Sequence, residues 1–297
     1  MRFVFFLTAW IHVVSACYDP RDATRHTPDA LSPDDTTVAD VSDLLDASAD
    51  LANAAPCSVL FGTPNDKTGL TACQCQPRCA CGGLGFEPPV YSESDIAALE
   101  ARVLVTPFEV PAEDPYLHPE DHVPIEGAVC GVLAAPEVAG GYRLQTYASR
   151  AEALADGAVP SHEGACGLCS PLVDLAVYMR HPDLTEPVRA CGLKGLSEGE
   201  AAQMACLRDL GFDLPCARIW FWNTKATQKA CGGVCLAALN QPYHQPDGSL
   251  NACLQCDEDT SGPVFKAVAG RNRRNTGLPS SMCRPCAEVQ PFVHVYP

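Results

Sequence analysis

The sequence predicts a mainly α, disulfide-rich fold with small irregular β content, in which short helices are cross-linked by disulfides. The chain has 297 residues and 18 cysteines, and an export signal at its N-terminus makes disulfides the default state of those thiols. The second half of the chain carries a succession of helix start and stop signals. Its cysteines fall at helix ends and turns, where bridges can join neighbouring helices.

The first seventeen residues predict a bacterial lipoprotein signal. Arg2 precedes an apolar run over residues 3–16, which is shorter than the roughly 20 residues that cross a bilayer but suits a signal peptide. The run ends in Val14-Ser-Ala-Cys17, which resembles a lipobox. We therefore expect residues 1–16 to be removed and Cys17 to be lipidated. The mature chain would be anchored to a membrane of the cell envelope, facing outside the cytoplasm.

An ordinary signal peptide cut after Ala16 is the alternative, and Cys17 would then be one more disulfide partner. The position of Cys17 favours lipidation, because the next cysteine is Cys57 and the residues between them do not predict a packed domain. Residues 18–56 hold nine Asp, no Glu and two Arg. Such a composition cannot bury enough apolar surface to offset its ordering entropy. We expect residues 17–56 to form an acidic, disordered tether.

The remaining cysteines fall into two blocks. With Cys17 lipidated, seventeen remain, six in residues 57–130 and eleven in residues 166–286. They allow eight bridges and one spare thiol. We interpret residues 57–139 as a cysteine-rich irregular segment and residues 140–297 as a disulfide-stapled helical domain. If each block pairs internally, the spare thiol belongs to the second block; the connectivity itself does not follow from the sequence.

Helix signals concentrate in the second half of the chain. Capping residues, Pro at the first helical position and terminal Gly define most of the boundaries. Alternation predicts strands over 142–147 and 158–159, and residues 107–136, rich in Pro, Glu and His, predict an irregular connection. The predicted helices cover residues 96–103, 149–155, 170–180, 197–211, 216–230, 231–239, 249–256 and 261–269, with a short turn over 185–192.

Several phrases resemble an uncharacterised family of secreted cysteine-rich proteins found mainly in algae and other protists. The resemblance covers about residues 140–297. It implies a single folded module there and brings no activity or catalytic residues with it. The phrases include Thr146-Tyr-Ala-Ser-Arg150, Ser161-His-Glu-Gly-Ala-Cys-Gly-Leu-Cys-Ser170, Leu250-Asn-Ala-Cys-Leu-Gln-Cys-Asp-Glu258 and Ser261-Gly-Pro-Val-Phe-Lys-Ala-Val-Ala-Gly270.

Cys166-Gly-Leu-Cys169 is a candidate redox pair. A strand, a helix and a second strand precede it and a helix follows, an order that resembles thioredoxin-like oxidoreductases. The positive end of that helix would activate the Cys166 thiol, and Cys169 would resolve the mixed disulfide. No aromatic residue directly precedes the motif and no later cis-proline strand is evident, so structural bridges are the favoured interpretation. A redox pair should be exposed and bonded to itself, whereas structural cysteines should pair with distant partners.

Metal and anion sites are weaker candidates. Cys253-Leu-Gln-Cys256 and Cys283-Arg-Pro-Cys286 have zinc-ligand spacing, and His162 could complete such a site, but behind an export signal disulfides are favoured. Asp257-Glu-Asp259 could bind calcium weakly, although a solvated turn is favoured. Arg271-Asn-Arg-Arg-Asn275 could grip a surface glycan or phosphate, although such a run is typical of a solvated loop.

These patterns favour a binding or structural module over an enzyme. The formal net charge of −16 argues against a nucleic-acid partner, and no GxSxG, HExxH, phosphate-binding loop or dinucleotide fingerprint occurs. We expect no cofactor and no metal, and we expect the Trp220–Trp222 cluster in the core first and as a ligand platform second. The prediction is a membrane-anchored extracytoplasmic lipoprotein with a domain for an unknown surface ligand or protein. The alternative is a thiol–disulfide oxidoreductase using Cys166 and Cys169.

Overall fold

A computed structural model describes residues 59–81 and 84–296 of the chain. These residues contain eight α-helices and nine short strands. The helices are α1 (Glu93–Glu100), α2 (Arg150–Ala155), α3 (Leu172–Arg180), α4 (Thr185–Glu198), α5 (Glu200–Asp209), α6 (Leu214–Ala237), α7 (Ala252–Thr260) and α8 (Gly262–Ala269). The strands are β1 (Leu60–Phe61), β2 (Cys75–Gln76), β3 (Cys79–Cys81), β4 (Leu84–Phe86), β5 (Val103–Leu104), β6 (Val129–Ala134), β7 (Gly141–Tyr147), β8 (Val159–Glu163) and β9 (Arg284–Pro285). This content confirms the predicted fold class. The predicted signal peptide, Cys17 and the tether lie outside the described residues.

A four-stranded sheet ordered β5-β7-β6-β8 has β6 at its centre. β6 pairs antiparallel with both β7 and β8, while β5 runs parallel to β7. The predicted strands over 142–147 and 158–159 correspond to β7 and β8. Residues 107–136 were expected to form an irregular connection, which is wrong for the part of them that forms β6. The first four residues of β6 are all buried, so its sequence is a continuous apolar run without the alternation that identifies a half-buried strand.

Most helix predictions agree with the structure because their signals are local. Ser149 caps α2, with its side chain accepting from the backbone N–H of Glu152. Asp213 caps α6 in the same way, through Cys216. The helix predicted over residues 96–103 is α1, which begins earlier because Ser92 forms a capping box with Asp95.

The start predicted at residue 197 for the helix over residues 197–211 is wrong. Ser197 lies in the last turn of α4, where its hydroxyl donates to the carbonyls of Leu193 and Lys194. The break between α4 and α5 falls at Gly199, whose φ of +90° is favoured only for glycine. α4 therefore runs through Gly192, where the sequence had placed a helix end.

α6 is longer than predicted, because the separate helices expected over 216–230 and 231–239 form one helix. Gly232 and Gly233 lie inside it without breaking it. Two disulfides hold this part of α6 against α7, Cys231–Cys256 and Cys235–Cys253. Each of the two glycines lowers helix stability by about 1 kcal/mol relative to alanine. Covalent attachment and packing outweigh this loss here.

Seven disulfides join pairs of cysteines that both lie in the described residues, and Cys73 is also disulfide-bonded. Three of the seven run between the two cysteine blocks, so the expectation that each block pairs internally fails, and all eleven cysteines of the second block are bridged. Strand pairing explains two of these three bridges between the blocks, because β1 pairs with both β2 and β9 and β6 pairs with β8. The bridges are Cys75–Cys283, Cys79–Cys286, Cys130–Cys166, Cys169–Cys216, Cys191–Cys206, Cys231–Cys256 and Cys235–Cys253.

A buried arginine joins the sheet to the helices. Arg271 is fully buried, and its Nε donates to the carbonyl of Cys169 while Nη2 donates to the carbonyl of Ser170 and the hydroxyl of Ser161. The largest hydrophobic core lies alongside and draws on α1, α3, α5, α6 and α8. Arg271 is therefore a structural residue, not part of the solvated loop predicted for residues 271–275. Within the described ranges, no helix is long and apolar enough to span a membrane.

Candidate functional site

The two cysteines of the candidate redox pair are not bonded to each other. Cys166 is bridged to Cys130 in β6, and Cys169 is bridged to Cys216 at the start of α6. Cys169 is fully buried. Both thiols are therefore held in bridges to distant partners, the arrangement expected of structural cysteines, and nothing in this geometry supports the oxidoreductase alternative.

The other CxxC pairs are likewise oxidised. Cys253 and Cys256 are bridged to α6, and Cys283 and Cys286 are bridged to the strands near residues 75–81. A cysteine in a disulfide has no thiolate for zinc, so these pairs are crosslinks. His162 is fully buried away from them. Its Nδ1 lies 3.0 Å from the carbonyl oxygen of Glu163, and its Nε2 lies 2.7 Å from the hydroxyl of Ser170. Burial, with the charge of Arg271, lowers the pKa of His162 well below its ordinary value.

The acidic turn at residues 257–259 does not converge on one point. Asp257 accepts from the hydroxyls of Thr227 and Ser261. Glu258 forms ion pairs with two arginines, and Asp259 accepts from Gln255 at 2.8 Å. Each carboxylate is therefore engaged by different protein donors, which does not fit the calcium alternative.

One surface cluster among the described residues has metal-ligand spacing. Its members are His118, Glu120 and Asp121, whose ligand atoms lie within 4.8 Å of one another. All three side chains are exposed, and no buried donor accompanies them. This cluster therefore has the geometry of an exposed polar loop.

A groove of about 480 Å³ beside α6 is the main candidate site. Its walls come from α4, α6, α7 and α8, together with parts of the segment from 272 to 284 that follows α8. Most of this lining is apolar. The volume falls within the range of about 300–1,000 Å³ that is typical of small-molecule sites.

One face of α6 and one face of α4 form two of the walls. The lining positions are 220, 223, 224, 227, 228, 232, 235 and 236 on α6, and 185, 188, 189, 192, 193 and 196 on α4. Both sets recur every three or four residues, as one face of a helix does. Gly192 lets the helices approach closely, since a Cβ there would lie 2.6 Å from Cγ2 of Thr224.

Exposed leucines edge the groove. We call Leu193, Leu196, Leu236 and Leu239 the leucine rim; their exposed fractions are 47%, 63%, 67% and 37%. Isolated exposed leucines are normal on protein surfaces, but a set of them around one apolar cavity is typical of an interaction site.

The aromatic cluster contributes both to the core and to the groove. Phe221 and Trp222 are buried in the core, whereas Trp220 lines the groove. The Trp220 ring lies 4.6 Å from the ring of Phe265, which also lines the groove. Phe221 and Trp222 therefore lie in the core as expected, whereas Trp220 has a face on the groove.

Four cations form what we call the basic wall of the groove: Lys266, Arg273, Arg274 and Arg284. Arg274 and Arg284 are both paired with Glu258. Burial alone would raise the pKa of Glu258, but attraction to these two guanidinium groups outweighs it and lowers that pKa. Glu288 also pairs with Arg274 at 2.8 Å, so two carboxylates balance two guanidinium groups in this part of the basic wall.

The other two cations of the basic wall have no carboxylate partner among the described residues. Arg273 donates to the carbonyls of Pro279, at 3.1 Å, and of His181, and burial lowers its pKa to about 10. The half-buried ammonium of Lys266 has neither a hydrogen bond nor an ion pair with any described residue. Burial lowers the pKa of Lys266, and the charge of Arg274 lowers it further.

Disulfides fix the walls of the groove. Cys235 and Cys253 line it and join the end of α6 to α7, with their Cα atoms 4.5 Å apart. Cys191–Cys206 ties α4 to α5. The cavity is therefore held open by covalent links as well as by packing.

Nothing in the sequence alone predicts this groove. The signal that could have found its α4 wall is the helical spacing of Val188, Gly192 and Leu196, which was interrupted by the helix end expected at Gly192. The run of basic residues was noticed as an anion site, and Arg273 and Arg274 do line the groove, whereas Arg271 does not.

The profile of a family of unknown function (DUF8771) matches residues 200–291. The match contains α5 to α8 and the basic wall and lies within the stretch that resembles an uncharacterised family. It does not include α4. No curated protein and no solved structure is significantly similar to the chain. Over these residues the chain is similar to a family whose function is not established.

Proposed function

We propose that this chain is an extracytoplasmic binding protein whose groove beside α6 holds the apolar part of a small amphiphilic ligand. The observation that carries the proposal is the groove itself, with mostly apolar walls and an exposed leucine rim. Burying apolar surface is worth about 25 cal/mol per Å². An occupant that covers the leucine rim therefore gains free energy from surface that is otherwise exposed to water.

The disulfides support a binding role because they limit the entropy that binding must cost. A groove that orders only when its ligand arrives loses part of the interaction free energy to that ordering. Here Cys231–Cys256 and Cys235–Cys253 already restrict α6 against α7. The bridges also favour an oxidising compartment, in agreement with export.

The membrane anchor is part of the same proposal. We infer that Cys17 carries a lipid, that residues 17–56 carry the domain away from the membrane of the cell envelope, and that the ligand or protein it binds is met there. A Cys17→Ser variant tests this. It should leave the membrane fraction and lose the mass of the lipid, whereas recovery of unlipidated wild-type chain in the soluble fraction would contradict the anchor.

Two neighbouring glycines of α6 provide a matched test of the groove. Gly232 lines the groove and Gly233 does not, and a Cβ built on either meets nothing within 4 Å. Gly232→Phe should therefore fill the groove without disturbing the fold, and Gly233→Phe is its control. Both replace a helix-interior glycine, so neither should lower helix stability.

The assay is saturable binding of the neutral fluorophore N-phenylnaphthylamine to the full, oxidised chain. Wild type and Gly233→Phe should bind it alike, and Gly232→Phe should bind it at least about ten-fold more weakly. Circular dichroism and thermal unfolding would confirm that both variants are folded. Equal affinity of a folded Gly232→Phe and the wild type would overturn the proposal.

A further inference from the structure

We propose that the ligand is a single-chain amphiphile with a carboxylate head group, and that this carboxylate pairs with Lys266 while the chain lies along the apolar walls. The inference rests on the proposed function, because it names the chemical class of the ligand for the same groove. It is carried by the distribution of charge within the groove, which differs from that of the whole chain.

The groove has the opposite charge balance to the protein around it. The chain has a formal net charge of −16, yet five of the side chains that line the groove are basic and three are acidic. One of those three, Asp257, has its pKa raised by burial, which favours its neutral form. Glu186 and Glu288, which lie outside the lining, pair with Arg189 and Arg274, so the positive surplus that remains is small. A positive surplus beside low-dielectric walls attracts anions and repels cations.

Lys266 is the point where that surplus is unsatisfied. Glu258 pairs with both Arg274 and Arg284, and Glu288 also pairs with Arg274, so two carboxylates balance these two guanidinium groups. The guanidinium of Arg273 is directed to backbone carbonyls. Lys266 is half-buried and lines the groove, and it has no hydrogen bond or close ion pair with a described residue; Glu258 and Glu288 attract it only at longer range. A partly desolvated charge without a partner is costly, and a ligand anion would relieve that cost.

One free ammonium fits one singly charged head group. The arginines of the basic wall are already paired with carboxylates or backbone carbonyls, so they are less suited than a free guanidinium to the bidentate pairs that recognise phosphate. A carboxylate carries a single charge and can accept from Lys266 alone. The pairing would place the head group beside α8 and direct the chain toward the leucine rim on α4 and α6.

Calorimetry with four ligands of equal chain length tests the inference. The ligands are decanoate, decanol, decyltrimethylammonium and decyl phosphate, each titrated into the full oxidised chain at low salt and again at higher salt. Wild type should bind decanoate at least about ten-fold more tightly than decanol, as expected for a charged hydrogen bond. It should bind decyltrimethylammonium most weakly, and the preference for decanoate should decline with salt.

Lys266→Met removes the charge and keeps an apolar stem of similar length. It should bring the affinity for decanoate down to that for decanol without weakening decanol binding. Lys225→Met is the matched control, because Lys225 lies on α6 outside the groove lining and its loss changes the net charge equally. The control should keep the wild-type preference.

The outcomes separate the two proposals. Binding of none of the four ligands would overturn the binding function itself. Equal binding of decanoate and decanol, or an unchanged preference in Lys266→Met, would overturn only the role of Lys266. Tighter binding of decyl phosphate than of decanoate would overturn the carboxylate assignment.

Discussion

The C-terminal segment should make this protein sensitive to acid through His294. The side chain of His294 is buried, with Nε2 2.9 Å from the carbonyl oxygen of Thr276 and Nδ1 2.8 Å from the hydroxyl of Tyr296. Burial lowers the pKa of His294 to about 3, and the nearby charge of Arg271 contributes. The native ring therefore stays neutral at pH values where the unfolded chain carries a protonated histidine.

The sign and size of the effect follow from linkage. Because the pKa of native His294 is below the unfolded value of 6.5, its contribution to stability is complete above about pH 6.5. That contribution is lost as the pH falls toward the native pKa, at about 1.36 kcal/mol per pH unit. Between about pH 7.5 and 4.5, this one residue should lower the free energy of unfolding by about 2.7 kcal/mol.

A His294→Gln variant isolates this contribution. Gln removes the titrating ring and can still donate to the carbonyl of Thr276. Urea unfolding of wild type and variant, with disulfides intact, would be measured from about pH 7.5 to 4.5. Other titrating groups cancel in the difference between the two proteins. That difference should shrink by about 2.7 kcal/mol as the pH falls, and a difference independent of pH would refute the reasoning.

Three further predictions concern backbone, charge and crosslinks. Gly199→Ala should lower the free energy of unfolding by about 1 kcal/mol because φ is +90° there, whereas Gly233→Ala should raise it by up to about 1 kcal/mol; thermal unfolding measures both, and equal effects would contradict the account. Burial raises the pKa of native Asp174 well above 3.8, so the contribution of Asp174 to stability is complete below pH 3.8 and is lost as the pH rises above it. Asp174→Asn should remove this loss, and an unchanged dependence of urea unfolding on pH would contradict the account. Replacing Cys235 and Cys253 by Ala should lower stability by about 3 kcal/mol for the 18-residue separation and weaken decanoate binding in calorimetry; unchanged affinity would show that the bridge does not shape the groove.

Elements with short-range signals could be predicted from the sequence. α2 begins where the Ser149 hydroxyl accepts from a backbone N–H three residues on, and α6 begins at Asp213 for the same reason. β7 could be predicted because it alternates and has one face toward the core. In each case the determining contact lies within a few residues, so no knowledge of the rest of the fold was needed.

Elements determined by distant contacts could not be predicted. The Ser197 motif has the composition of a capping box, yet α4 continues through it and packs against α5 and α6. The sequence predicts two helices that meet between residues 230 and 231, yet bridges from Cys231 and Cys235 to α7 hold that part of α6 in place as one helix. The groove depends on both of these outcomes, because α4 and α6 each contribute one face to its walls.

The candidate site shows the same limit at the level of single residues. Arg271, Arg273 and Arg274 are neighbours in the sequence and were grouped as one anion site. Arg271 is fully buried against the backbone of Cys169 and Ser170, whereas the other two line the groove. Lys266 carried no signal at all, since its importance comes from the absence of a partner in three dimensions.

The ambiguity of Cys166 and Cys169 arises from the strand that the sequence did not identify. Without β6, the order of strand, helix, strand and helix around the motif resembles that of a redox fold. Once β6 is placed beside β8, Cys130 lies opposite His162 in the register, and Cys166 follows four residues later, within reach of a bridge. Cys169 is bridged to Cys216 of α6, so both Cys166 and Cys169 are held in disulfides with distant partners. The bridge that makes Cys166 a structural cysteine thus depends on a single buried apolar run, β6, and the same bridge ties the sheet to the segment that leads into α3.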